Sequence, residues 1–414
     1  MRRHEEQRDI VVASPYPEGA IVALAASLSR QRLRVLYTSA FNILPGFVGK
    51  IPLHAVQHVD SRLHRRRWAG LSSDLVEDVA VAPELLRMAC ANSPLDRRWC
   101  FAAMYLQKRA FDSAVARRLQ PRMYRLFVGV QGSAAVSLRR ARDSGCVGVL
   151  HHVNSCASEH NSLLRRWHRL SPGHRELLPD GVVRVEAEEL NQASIILVPS
   201  QFIARQLVAR AVPATHISVQ PYGVDVERFQ PRDAPLVNST TMRLLYVGEI
   251  SLRKGIPFLI EAALRLPSIA LTLIGPVVSP ELLRKLPSNV HYAGNRPSPQ
   301  IPASIQSADA LVLPSLEDSY GLVVLEAMAS GLPVIVSSHA GASEIIESGR
   351  EGIIVPPGDV TALVRAIEWL ADEPTARVDM GSRGRTMVAD RYTWGHYCDR
   401  VINLLNRRMS IGAC

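Results

Sequence analysis

Short, near-continuously apolar runs bounded by turn residues recur along the whole chain, and they constrain its fold more than any other feature. In the first half these are "DIVVASP", "LRVLYTSA", "RLFVGVQG", "CVGVLHHVN", "SIILVPS" and "ISVQPYGV". In the second they are "RLLYVGE", "ALTLIGP", "NVHYAG", "ALVLPS", "PVIVSS" and "GIIVPP". Alternating strands would signal a sheet with one wet face, whereas unbroken runs of this length predict strands buried on both faces. Amphipathic stretches such as "IPFLIEAALRL" and "TALVRAIEWLAD" lie between them, and residues 84–120 read as additional helix. Strand and helix in alternation predict an α/β chain with two parallel-sheet, Rossmann-like domains of six strands each. The pattern breaks at residues 224–242, "VDVERFQPRDAPLVNSTTM", which predicts the boundary there.

A chain of 414 residues is long enough for two cores, so neither half needs disulfides to fold. Its six cysteines include no C-x-x-C pair, which argues against a zinc site or disulfide framework and for a reducing cytoplasm. The opening "MRRHEEQRDIVVASPYPEG" is broken by acids and prolines, so it reads as non-secreted, and no stretch approaches a membrane span of about 20 residues. The net charge of +10 is uneven: residues 1–230 hold 31 Lys and Arg against 20 Asp and Glu, and residues 231–414 hold 17 against 18. A basic first half suits an anionic partner such as a phosphorylated acceptor, a membrane surface or nucleic acid. Lysine occurs only at Lys50, Lys108, Lys254 and Lys285, so an arginine-rich composition accounts for the excess equally well.

Parallel sheets bind ligands at the carboxyl ends of their strands. "ALVLPS" leads into a loop containing Asp318, Ser319 and Tyr320, and Gly321 then opens the helix "LVVLEAMAS". Without a Cβ, Gly321 lets a ligand approach the N–H groups of Leu322 and Val323, where the helix dipole favours a phosphate. Glu326 lies one turn further along, within reach of sugar hydroxyls beside that phosphate, and Asp318 faces the other end of the same ligand. Two carboxylates flanking a phosphate cradle suit a nucleotide-sugar. Each acid taken singly also fits an exposed helix position or a loop cap. "VGEISLRKG" (247–255) supplies the complement: a strand ending at Gly248, then Arg253 and Lys254 before the next helix. No D-x-D triplet is present to hold a divalent ion, so no metal and no cofactor is expected.

These blocks, with "ILVPSQFIARQL" and "VQPYGVDVERFQP", resemble in order and spacing the retaining glycosyltransferases of family 4, over residues 190–400. The resemblance implies a GT-B fold: an acceptor-binding domain 1–225, a linker 226–242, a donor-binding domain 243–395 and a helix 396–414 crossing back to the first domain. It implies that Glu326 binds the ribose, that Arg253 and Lys254 contact the diphosphate, and that Asp318 takes the first position of an E-x7-E pattern near the transferred sugar. Asp318 departs from that pattern by one methylene. Glu249 stands where many members carry arginine, placed to pair with Arg253. In "VLHHVNSCASEH" His151 matches best the family's cleft histidine, with Asn154 three residues on and His152 and His160 as alternatives. Of an N-terminal glycine pair only Gly19 remains, to open a helix toward the acceptor or the donor phosphate.

The activity implied is transfer of a sugar from a nucleotide-diphosphate donor to a hydroxyl acceptor, by front-face substitution with no separate general base. A nucleotide-sugar epimerase or hydrolase and a non-catalytic nucleotide-sugar binder are the alternatives. A nucleic-acid partner is not expected, because no binding module accompanies the basic charge. The stretches "RLHRRRWAGL" (62–71) and "RRWHRL" (165–170) suit either a solvated basic face or peripheral contact with an anionic membrane at its cytoplasmic side.

Overall fold

The computed structural model describes residues 10–16, 19–30, 35–39, 76–78, 97–121, 123–167, 177–232 and 241–411. The stretch 62–71 lies outside these residues, as do positions 168–170 of the second basic stretch. Seven parallel strands form the first sheet: β1 Ile10–Ala13, β2 Val35–Ser39, β3 Val76–Asp78, β4 Leu126–Val130, β5 Val147–His151, β6 Ile195–Val198 and β7 Ile217–Val219, in the order β3-β2-β1-β4-β5-β6-β7. Six more form the second: β8 Met242–Val247, β9 Ile269–Ile274, β10 Val290–Tyr292, β11 Ala310–Leu313, β12 Val334–Ser337 and β13 Ile353–Val355, in the order β10-β9-β8-β11-β12-β13.

All twelve apolar runs become strands. The first sheet also contains β3, which the reading of six strands missed. "VED" is a three-residue edge strand with two acids, too short and too polar to produce an apolar run. Strands β1, β4, β6, β11 and β12 are buried at every position, as expected when helices cover both faces.

In both sheets the strand order reverses between the first and fourth strands, at β1/β4 and at β8/β11. Helices start on opposite faces there, which leaves a crevice beyond the strand ends. The 248–255 loop packs directly on the outlet of β11: Gly255 has φ +74°, and a Cβ there would fall 2.1 Å from the carbonyl oxygen of Pro314.

Two connections join the halves side by side. The outgoing chain passes Gly223, whose added Cβ would stand 2.3 Å from the Thr393 backbone, and Val224 bridges Thr393 on the returning chain. The last helix, Trp394–Ile411, then packs against helix Gly19–Arg30 in the first half. Its Tyr397, Val401 and Leu405 make the buried core continuous from one half to the other.

Polar contacts align the halves further. Glu344 accepts hydrogen bonds from the N–H groups of Gln201 and Phe202 (2.7 and 2.6 Å), capping helix Gln201–Ala209 from across the interface. Ser200 Oγ donates to the Ser319 carbonyl at 2.9 Å.

Gly255→Ala combines a left-handed backbone with a backbone clash. It is expected to destabilise the protein by on the order of 3 kcal/mol in urea unfolding, and an unchanged midpoint would contradict this packing.

Candidate functional site

A cavity of about 450 Å³ lies where the two switch points face each other. Its wall comes mainly from four strand outlets: Gly19 and Ala20 after β1, His151 and Asn154 at the end of β5, Gly248 and Lys254 after β8, and Leu313 with Asp318 to Val323 after β11. Most residues singled out in the sequence therefore share one space. Arg253, Glu249, Glu326, His152 and His160 are not part of the wall.

Gly321, at φ +86°, is the N-cap of helix Leu322–Ala329, and no side chain caps that helix start. A Cβ at Gly321 would fall 2.7 Å from Leu313 Cδ2, so both the backbone angle and the packing require glycine. Across from it the Lys254 ammonium is ion-paired with the Asp318 carboxylate, both side chains largely buried. Asp318, though one methylene short of glutamate, reaches this cation, and its backbone N–H is held by the His339 carbonyl at 3.0 Å.

Arg253 is not among the residues that line the cavity. Its Nη2 donates to Glu249 Oε2 at 3.0 Å and its Nη1 to the Glu317 carbonyl at 3.3 Å. Burial works against its charge, but the carboxylates of Glu317, Asp318 and Glu249 outweigh that and push its pKa further up. Glu249 thus pairs with the arginine four residues on.

Glu317, the neighbour of Asp318, is the more deeply buried of the two acids at 3% exposure. The Ser155 hydroxyl donates to its Oε1, and His160 Nδ1 lies 3.4 Å from its Oε2, both from the first half. Burial alone would raise its pKa. Contacts with His160, Arg253 and Ser155 overcome this and hold it at about 2, so it is ionised throughout the neutral range.

Of the three candidate histidines, His151 lines the cavity. Its Nε2 lies 3.0 Å from Tyr397 Oη, and burial, with a smaller contribution from His152, lowers its pKa to about 4. His152 points to Glu186 (3.3 Å) and Gln131 (3.1 Å). Gln131 Oε1 in turn accepts from the N–H groups of Val153 and Asn154, which fixes the loop after β5. Gly19 opens helix Gly19–Arg30 onto the cavity, with the Trp394 ring 3.5 Å from where a Cβ would sit.

Tyr222, Tyr320 and Trp394 also line the cavity and form an aromatic cluster with Tyr397 behind them, with Tyr222 and Tyr320 edge to face at 5.1 Å. Of these the sequence reading singled out Tyr320 and missed Tyr222, Trp394 and Tyr397, although aromatics on both sides of the crossover were a usable signal. Trp167, read as suited to a membrane surface, instead packs edge-on against Phe258 at 5.1 Å. Arg165 and Arg166 beside it remain exposed.

The described residues contain one group with metal-ligand chemistry: His152, Cys156 and Glu186, all buried, with ligand atoms within 4.8 Å of one another. His152 and Cys156 are four apart in sequence, and the fold adds Glu186. Burial pushes the Cys156 thiol up to about 12, and Glu186 already accepts from Gln131 and from the Ala157 N–H, so the group fits a hydrogen-bond network.

Glu326 sits one turn into its helix, partly buried. That burial, opposed by the charge of Arg228, raises its pKa to about 7. The folded protein therefore holds this proton more tightly than the unfolded chain, and stability falls as pH rises from about 4.5 to about 7. Relative to Glu326→Gln, the wild-type melting temperature is expected to drop across that window. A constant difference between the two proteins would contradict the assignment.

Residues 228–387 match the family described as glycosyl transferases group 1. The D-inositol 3-phosphate glycosyltransferase of Arthrobacter sp. (strain FB24) is 30% identical over 287 residues, which cover 64% of this chain and 65% of that protein. Sulfoquinovosyl transferase SQD2 of Arabidopsis thaliana is 31% identical over 229 residues, 51% of this chain and 44% of that protein. The chain therefore spans less than two thirds of either relative. Among solved structures, sucrose-phosphate synthase from Thermosynechococcus elongatus superposes with TM-score 0.71 at 20% identity, covering 98% of this chain and 100% of that one. HepE of Anabaena in complex with UDP-glucose gives 0.63 at 18%, covering 96% and 99%. No helix among the described residues is long and apolar enough to cross a membrane. The two facing sheets have the GT-B architecture, and the second of them carries the match to glycosyl transferases group 1.

Proposed function

We propose that the protein is a retaining glycosyltransferase of family 4 type, moving a sugar from a nucleotide-diphosphate donor to a hydroxyl acceptor in the cavity between the two sheets. One observation carries this reading: a buried ammonium, an uncapped helix start and a carboxylate from the second half converge on one space with a histidine from the first.

The donor's diphosphate takes the helix start at Gly321 and shares or displaces Asp318 on Lys254, while Ser319, Tyr320, Leu322 and Val323 form its cradle and Gly248 lets it approach the backbone. Glu326 binds the ribose and Asp318 the transferred sugar. Arg253, held by Glu249 and Glu317, acts from outside the wall. The sugar–phosphate bond breaks as the acceptor oxygen attacks the same face, and the acceptor proton passes to the leaving phosphate oxygen. Positive charge preorganised at the developing diphosphate supplies the rate enhancement.

HepE was crystallised with UDP and UDP-glucose, so uridine donors are the first to test. Phosphorylated acceptors suit the basic first half and the helix start at Gly19, and relatives are named for inositol phosphate. Cytoplasmic location with peripheral contact of the basic first half on anionic lipid completes the reading. Sedimentation with anionic vesicles, absent with neutral ones, tests that contact.

A thermal-shift screen of UDP-, GDP- and ADP-sugars identifies the donor, since a ligand of the folded state raises its stability. With that donor, Lys254→Ala is expected to lower kcat by about 100-fold or more. Near wild-type turnover in Lys254→Ala would refute the role, and a sugar altered without acceptor would point to an epimerase or hydrolase.

A further inference from the structure

His151 is 1% exposed and Tyr397, which returns from the last helix, is fully buried. Their one recorded polar contact is mutual: Tyr397 Oη to His151 Nε2 at 3.0 Å. Among the described residues the other ring nitrogen, Nδ1, has no hydrogen-bond partner.

Two proton arrangements are possible across this contact. If Nε2–H donated to the phenol, the phenol hydrogen would be buried without an acceptor and Nδ1 would be a bare, unmet lone pair. If the phenol donates to Nε2, the phenol hydrogen and the Nε2 lone pair are satisfied in one bond, and what remains unmet is the Nδ1–H and the weak acceptor capacity of the phenol oxygen. Each arrangement leaves one donor unmet, but the first also strands the imidazole lone pair, a stronger acceptor than the phenol oxygen stranded in the second, so the second is favoured. His151 lines the cavity, and an occupant of that cavity is the acceptor assigned to the Nδ1–H.

We propose that Tyr397 is a positioning residue that fixes His151 as the neutral Nδ1–H tautomer, so that His151 serves the cavity's occupant as a hydrogen-bond donor and not as a base. Two further observations agree. The rings of Tyr222 and Tyr397, at 5.9 and 6.4 Å, confine the imidazole. Burial keeps the imidazole uncharged, with its pKa lowered to about 4, and pushes the Tyr397 phenol upward so that it retains its proton. Donation toward a hydroxyl or phosphate oxygen also agrees with a reaction in which the leaving phosphate takes the acceptor proton. The identity of the occupant rests on the glycosyl-transfer reading, whereas the tautomer does not.

The test uses the full chain with 15N-labelled histidine. Two-bond 1H–15N correlations distinguish the tautomers, and His151→Asn assigns the His151 signals by their loss. The proposal expects protonated Nδ1 and bare Nε2 in the wild type near pH 7, and a tautomer mixture in Tyr397→Phe, with thermal melting used to verify that the variant is folded. A bare Nδ1, an imidazolium, or an unchanged tautomer in Tyr397→Phe would overturn it.

Kinetics give a second readout. Tyr397→Phe should lower kcat by about 3- to 10-fold, the worth of one hydrogen bond, with donor KM changed by less than about twofold. In a His151→Asn background, which keeps an amide donor near the Nδ1 position, the same substitution should have no further effect. An equal loss in both backgrounds would make Tyr397 merely structural and defeat the proposal. If no nucleotide-sugar is turned over, the glycosyl-transfer reading fails while the spectra still decide the tautomer.

Discussion

The carboxylate of Glu317 stands where the two halves meet, and the geometry of the site depends on it. A buried negative charge is tolerated only when it is paired and hydrogen-bonded, and here the partners come from both sides of the interface: Ser155 and His160 from the first half, Arg253 from the second. Its next residue is Asp318. The loop that presents Asp318 and Gly321 to the cavity is therefore fixed by the other half as much as by its own sheet. The bond from Ser200 to Ser319 and the cap that Glu344 provides act in the same direction.

This arrangement also distributes charge. Arg253 is occupied by Glu249 and by the loop carbonyl of Glu317, which leaves Lys254 as the cation that the described residues place on the cavity wall, steadied by Asp318. An ammonium held by one short carboxylate can be shared with an incoming anion at little reorganisation cost. The sheet topology explains why the parts converge: both sheets reverse their strand order at the same relative position, so each contributes its own crevice, and the crevices face one another.

Much of this could be read from the sequence because it is local. Among the described residues apolar runs gave twelve of the thirteen strands, and β3, three residues with two acids, left no trace. Gly321, Asp318 and Lys254 were legible because a strand end, a turn and a helix start occupy consecutive positions. His151 could not be separated from His152 and His160 on that basis. Neighbouring residues on a strand end point in different directions, and His152 and His160 find Glu186 and Glu317, which lie 34 and 157 residues further along the chain. Tyr397 was invisible as a partner of His151 for the same reason, being 246 positions away in the chain.

The sequence by itself determined the two parallel sheets and the helix start that can receive a phosphate, since period, length and turn glycine act over a few residues. Tertiary structure decided which acid spans the halves, which cation lines the cavity and which nitrogen of His151 is held by Tyr397. Those outcomes depend on burial, and burial is set by how the sheets, the crossover and the last helix close around each side chain.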